Sequence, residues 1–230
     1  MSRLDAAIAC YLEALRIAPR DPELHCNLGV ALADLGRQDD AIASYRTAVS
    51  LAPGYANAHY DLGITLQELK RHDEAIAAMR KRAAVLESAA AKAPDVATAA
   101  SFDGERTETY EYLGELAKAE KLLAAREKEL PSDYNPPARL ARVLLEEKRA
   151  PEAEAAVNRA LALMPQGPRK VGILGLKARI LEAQGKDKAP VLREQLALIR
   201  SLPATQRNPE TEQKVEAELK ALGSASQAVR

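Results

Sequence analysis

The sequence has no tryptophan, a single phenylalanine and an aromatic content of only 3%. A chain so poor in aromatic side chains, and rich instead in alanine and leucine, is a weak candidate for a sheet protein. Two cysteines exclude a disulfide-dense scaffold and a multi-cysteine zinc site. No run of 18 apolar residues occurs, so no segment reads as a membrane span. Neither sign of charge is in excess: 33 basic side chains balance 33 acidic ones, which argues against a nucleic-acid partner. Residues 1–19 carry Arg3, Asp5, Glu13 and Arg16 where an export signal needs an uninterrupted apolar stretch. A cytoplasmic location is the expectation, or an exported one if the chain is a fragment. What is present is 230 residues, 47% of them hydrophobic, enough for one large domain or two small ones.

Those residues recur with a fixed period. Ala7, Ala41 and Ala75 are 34 residues apart, and each is followed by isoleucine. Tyr11, Tyr45 and Met79 keep the same step, as do His25 and His59, Leu28 and Leu62, and Gly29 and Gly63. From Ala75 to Ala119 the step is 44, after which Ala119 to Ala153 and Pro131 to Pro165 return to 34. Agreement among independent positions marks a repeat architecture.

Each unit reads as two helices. In residues 22–53, Pro22 suits a first helical turn, where its missing N–H is no loss. Leu24, Leu28, Ala31, Leu32 and Leu35 follow at helical spacing, and Gly36 ends the helix. Asp39 or Asp40 is the expected cap of a second helix with the stripe Ala41, Ile42, Tyr45, Ala48 and Val49. The small residues Gly29, Ala41 and Ala48 allow two backbones to approach, and Leu28 and Tyr45 fill the space around them.

This pattern resembles the tetratricopeptide repeat. His25, Leu28, Gly29, Leu32, Ala41, Tyr45, Ala48 and Pro53 carry the likeness in residues 22–55. His59, Leu62, Gly63, Leu66 and Ala75 carry it in 56–87, where Arg82 and Glu87 depart from it. Leu140, Leu144, Ala153, Ala160 and Pro165 carry it in 134–167. The resemblance implies an all-α fold, a right-handed α-solenoid of stacked antiparallel helix pairs. The expected organisation is an N-terminal stack, 1–87, made of a half repeat 1–21 and repeats 22–55 and 56–87. An insertion or joint at 88–105 follows, holding the turn signal Asp103-Gly104. Then come a C-terminal stack at 106–207, a capping helix at 208–222 and a disordered tail at 223–230. Because Glu87 replaces the terminating proline, the helix starting near His72 should run on toward Lys92. Asp133 to Ala141, Gly167 to Lys170 and Leu202-Pro203 also faintly resemble the helical tail behind a thioredoxin-like domain of some exported bacterial proteins. No Cys-x-x-Cys accompanies them.

Residues able to do chemistry are few. His25 and His59 share one spacing, but they occupy the repeat's large-residue place. Equivalent atoms of adjacent units are separated by about 10 Å, too far for one metal. Cys10 and Cys26 read as free small apolar residues. No phosphate loop and no catalytic motif occurs. Neither an enzyme, nor a metal site, nor a cofactor is expected.

The positions that should face a groove are those on the inner side of the first helices. They are Glu23, Cys26, Asn27, Val30 and Asp34 in one unit, and Tyr60, Asp61, Ile64, Gln67 and Glu68 in the next. The Asn27 amide offers a donor and an acceptor to a peptide bond. The tetratricopeptide superhelix of O-linked N-acetylglucosamine transferases uses an asparagine at this place, although Asp61 breaks the ladder here. The plainer alternative is an asparagine stabilising its own helix pair. Tyr60 and Ile64 stand where a chaperone-binding clamp would place bases, which argues against such a clamp. Residues 131–207 hold 14 basic and 8 acidic side chains, a net of +6. Arg139, Arg142, Arg169, Lys170 and Lys177 lie on or near first helices there, either as a solvated face or as a surface for an acidic peptide. The expected function is a non-enzymatic scaffold that binds a protein, peptide or partner helix. The alternative is a substrate-positioning arm of a larger glycosyltransferase or thioredoxin-like enzyme.

Overall fold

The computed structural model describes residues 3–228, with side chains described through Gly223. It is all-helical, with 13 α-helices and no strand among the described residues, and its helices stack in antiparallel pairs as an α-solenoid. The chain divides into two compact units, Met1–Glu115 and Leu116–Arg230. The first contains α1 (Arg3–Ile17), α2 (Pro22–Asp34), α3 (Gln38–Leu51), α4 (Ala56–Glu68), α5 (His72–Ala91), α6 (Val96–Ser101) and α7 (Asp103–Tyr112). The second contains α8 (Leu116–Glu129), α9 (Asn135–Glu146), α10 (Ala150–Leu163), α11 (Pro168–Ala183), α12 (Ala189–Ser201), a 3-10 turn at Ala204–Gln206 and α13 (Pro209–Ala228).

Local chemistry sets the helix ends. The Asp21 carboxylate accepts hydrogen bonds from the Glu23 and Leu24 N–H groups at 2.9 and 3.2 Å, so α2 starts at Pro22 with its first donors satisfied. Neither Asp39 nor Asp40 caps α3. That helix begins at Gln38, and Asp40 turns back to accept from Arg37 Nε at 2.7 Å. Its acidic first turn favours the helix through the macrodipole instead.

The turn that ends a first helix has one local backbone geometry. Gly36, Lys70, Gly114, Lys148 and Gly185 all have positive φ, between 60° and 81°. The next residue's N–H closes each turn, as in Arg37 to the Leu32 carbonyl and Arg149 to the Leu144 carbonyl, both near 2.9 Å. Two lysines thus adopt a conformation that glycine takes freely.

The small residues are where the tightest approaches occur. Ala41, Ala48, Ala75, Ala153 and Ala160 have no exposed surface. A Cβ added at Gly29 would lie 2.5 Å from the Tyr45 ring, and one at Gly63 would lie 2.9 Å from Met79. Tyr45 and Met79 therefore fill the hollows that the glycines leave.

Two charged residues stand in this packing layer among the described residues, Arg82 and Arg126, the latter 7% exposed. Arg82 occupies the place of Ala48 and is 3% exposed. Its guanidinium lies 4.1 Å from the Tyr60 ring centroid and pairs with Glu108 at 2.9 Å and Glu105 at 3.4 Å, both on α7. Its Nε has no hydrogen-bond partner. Tyr110 on α7 also donates to Glu87 on α5 at 2.8 Å.

These contacts change the reading of residues 88–105. As Glu87 implied, α5 runs on to Ala91. The segment then folds into α6 and the start of α7, both packed on α5, and the compact unit continues to Glu115. Asp103-Gly104 opens α7 instead of forming a turn, and the bend falls at Phe102. At the other end, Asn208 caps α13 through the Glu210 and Thr211 N–H groups. That helix continues past 222 to Ala228, because Gly223 alone costs a helix only about 1 kcal/mol. Residues 229–230 of the expected tail lie outside the described residues.

Candidate functional site

In the N-terminal unit, Val30, Asp34, Tyr60, Asp61 and Ile64 line one open groove of about 310 Å³, together with Gln38, Tyr45, Thr65 and Glu68. Helices α2 and α4 supply the walls, and Gln38 donates to Glu68 at 3.0 Å across the rim. Four other expected residues, Gln67 among them, stand outside it. Glu23 is exposed at the start of α2, and Asn27 is half-buried beside the groove. Cys26 is 3% exposed and faces α4, where its thiol donates to Asp61 Oδ2 at 3.4 Å. Cys26 belongs to the same buried apolar cluster as Leu28, Ala58 and Leu62.

The groove is electrostatically tense. Burial, and then the Asp61 charge, push the Cys26 thiol up to about 12. Burial raises the Asp61 carboxyl above the ordinary carboxylate range, against the opposing pull of the Cys26 thiol and of Arg82. Tyr60 is raised by burial and by Glu108, which accepts its hydroxyl at 3.2 Å. Tyr60 is thus held between Arg82 and Glu108 and is part of the packing, where the sequence placed it as a free groove aromatic.

The two equally spaced histidines have a shared structural task. His25 Nε2 donates to the Pro19 carbonyl at 2.9 Å and His59 Nε2 to the Pro53 carbonyl at 3.0 Å. Each satisfies a proline carbonyl just past the end of the preceding helix, where no intrahelical N–H follows to bond it. Among the described residues no group of three His, Cys, Asp or Glu side chains could hold a metal ion. Both cysteines are free.

The larger groove is in the C-terminal unit, about 950 Å³ between α9, α11 and α13. Arg139 and Arg142 line it from α9 and Arg169 from α11; Lys170 and Lys177 do not. The sequence reading missed Arg179, Lys188 and Lys214, which add three more cations. Arg169, Gly172, Leu176 and Arg179 follow a 3-4-3 spacing along one face of α11, the signal that could have located them. Lys188 bridges Glu182 at 2.8 Å and Glu218 at 3.1 Å, the two carboxylates of the lining. The Arg169 guanidinium donates to the Tyr134 hydroxyl at 3.0 Å.

The floor contains an anomaly. A Cβ built at Gly175 would lie 3.0 Å from Gln195 Nε2, so Gln195 fills the hollow that Tyr45 and Met79 fill at Gly29 and Gly63. Gln195 is 5% exposed; its amide donates to the Val171 carbonyl at 2.9 Å, and its Oε1 has no partner. In α11 as well, Gly172 faces the groove with nothing within 4 Å of a built Cβ.

The family model described as TPR repeat matches residues 1–36 and 30–70, where the period, the Leu-Gly steps and the paired helices coincide. Residues 1–70 of the chain carry tetratricopeptide repeats, the family that this model describes. No curated protein matches the sequence. Among solved structures, BtubC from P. vanneervenii is 16% identical with a TM-score of 0.63, covering 91% of this chain and 96% of that one. A tetratricopeptide repeat protein from Parabacteroides merdae is 18% identical with a TM-score of 0.57, covering 95% and 77%. Residues 41 onward of MamA from Desulfovibrio magneticus are 14% identical with a TM-score of 0.51, covering 80% and 97%. These likenesses extend the tetratricopeptide fold beyond residue 70. No helix among the described residues is long and apolar enough to cross a membrane.

Proposed function

We propose that this tetratricopeptide repeat chain is a non-enzymatic scaffold that docks a protein segment on the inner faces of its first helices. One observation carries the reading: an open C-terminal groove of about 950 Å³ with a floor of small and apolar residues and a polar rim. That size and lining suit several residues of a ligand chain. The smaller groove at Val30, Asp34 and Ile64 is a second docking surface of the same kind. The reaction of an enzyme needs a nucleophile, base or metal set in reach of one substrate atom, and the reading assigns none.

Gly172 provides the test. A phenylalanine there projects into the groove without meeting protein, and replacing a mid-helix glycine does not weaken α11. Peptides selected from a displayed random library against the intact chain should bind Gly172→Phe at least tenfold more weakly, while its melting temperature stays equal or rises. Selected peptides that bind both proteins alike remove the C-terminal groove from the reading.

A further inference from the structure

We infer that the C-terminal groove takes an extended acidic peptide, with carboxylate side chains three residues apart. The inference rests on the scaffold reading and names the class of its partner. The first support is charge. The lining contains six cations and two carboxylates, and both carboxylates are bound by a single cation, Lys188. Arg139, Arg179 and Lys214 have no ion pair among the described residues. The whole chain has no net charge, so this concentration is local. Arginine is the cation suited to carboxylates, because its planar fork can hold both oxygens at once.

The second support is spacing. Neighbouring first helices lie about 10 Å apart, and a peptide extended in the polyproline II form advances about 3.1 Å per residue with every third side chain on one face. Acids three residues apart therefore reach Arg139 and Arg142 on α9 with one carboxylate and Arg169 or Arg179 on α11 with the next. The residues between them lie over Leu176 and the bare backbone at Gly172.

The third support is Gln195, a side chain buried to 95% that lines the groove and has an acceptor oxygen without a partner. A methionine or tyrosine, as at Met79 or Tyr45, would fill the hollow behind Gly175 without leaving a polar atom unsatisfied. Peptide backbone N–H groups at the groove floor are the donor chemistry that oxygen requires, and they reach it once the Gln195 amide, closed to solvent in the free chain, turns toward the groove. A nucleic acid suits the lining less well. Its one aromatic ring is Tyr134, whose hydroxyl already serves Arg169, so bases have no stacking platform.

The experiment titrates the intact chain with three fluorescent twelve-residue peptides. The first carries aspartate at every third position between leucine and alanine. The second has asparagine in place of aspartate, and the third has lysine. A poly-thymidine strand is the fourth probe. The acidic peptide should bind on the order of tenfold more tightly than its asparagine counterpart, and added salt should erode the difference. The double variant Arg139→Glu with Arg179→Glu should reverse the preference toward the lysine peptide. Gln195→Met should leave the melting temperature unchanged or raised yet weaken the acidic peptide several-fold, which a purely structural glutamine would not do. Equal binding of the acidic and asparagine peptides, both blocked by Gly172→Phe, overturns the acidic partner and leaves the scaffold standing. Acidic-peptide binding indifferent to Gly172→Phe overturns both. Tighter binding of the oligonucleotide, lost in the double arginine variant, overturns the peptide.

Discussion

Cys10 and Cys26 share a side chain and differ in everything around it. Cys10 is exposed, whereas Cys26 is buried and held as a thiol by burial and by Asp61. A maleimide reagent at neutral pH should therefore modify Cys10 alone, and Cys26 should react only in denaturant, as mass spectrometry of digested protein will show. Asp61 has the complementary problem. Its carboxyl is raised in the folded state by burial, so the protonated form favours folding. The stability this gives is present at acid pH and is lost as pH rises through the raised value. Asp61→Asn should hence be more stable than wild type in urea at pH 7, with the advantage narrowing toward about pH 4. The asparagine at the equivalent place, Asn27, reads from the sequence as a groove amide but stands outside the groove, whereas Asp61 lines it. That Cys26 donates to Asp61 was not readable, because helical spacing gives the face of a residue but not which side of a crowded boundary it ends on.

Among elements, the repeated turn gives the sharpest comparison. Lys70 and Lys148 sit at φ 60° in turns where the other units have glycine. Lys70→Gly and Lys148→Gly should each stabilise by about 0.5–1 kcal/mol, and Gly36→Ala should destabilise by about 1 kcal/mol, measured by chemical denaturation. The packing layer makes a second prediction. Ala41→Leu or Ala48→Leu should cost about 1–3 kcal/mol by overpacking places with no free surface. Arg46→Ala should stay within about 0.5 kcal/mol, since it removes only an exposed pair with Glu74. Helix pairs, their glycine steps and the long α5 were all legible from the period and the missing proline at Glu87. The cap of α3 and the fold of 88–105 were not. The first depends on which turn residue leaves the helix, and the second on Arg82, whose partners lie more than twenty residues along the chain.

At the scale of the whole molecule, equal numbers of acidic and basic side chains leave nothing to keep copies apart at neutral pH. Solubility in low salt should pass through a minimum close to neutrality and rise on either side, as turbidity against pH will record. The same balance hid the candidate site. Summed along the sequence, the +6 of residues 131–207 reads as a diffuse basic face. Folding sorts it, gathering Arg139, Arg142, Arg169 and Arg179 into one groove and leaving Lys170 and Lys177 out of its lining. Gln195 was hidden for a geometric reason: the last unit is stretched, so the residue over Gly175 follows it by 20 positions instead of the 16 that separate Gly29 from Tyr45.

Arg82 makes the fold dependent on two acids that would otherwise be dispensable. Glu105 and Glu108 have side chains nearly half exposed, so either acid can stand alone on α7 in contact with water. A buried guanidinium without them would be an uncompensated charge in a layer built for alanine, a strongly destabilising state. With the arginine in place neither acid can be lost cheaply. The dependence leaves a measurable trace: replacing both acids with glutamine should be far more damaging beside Arg82 than in an Arg82→Met background. A double-mutant cycle on unfolding free energy reads that dependence directly.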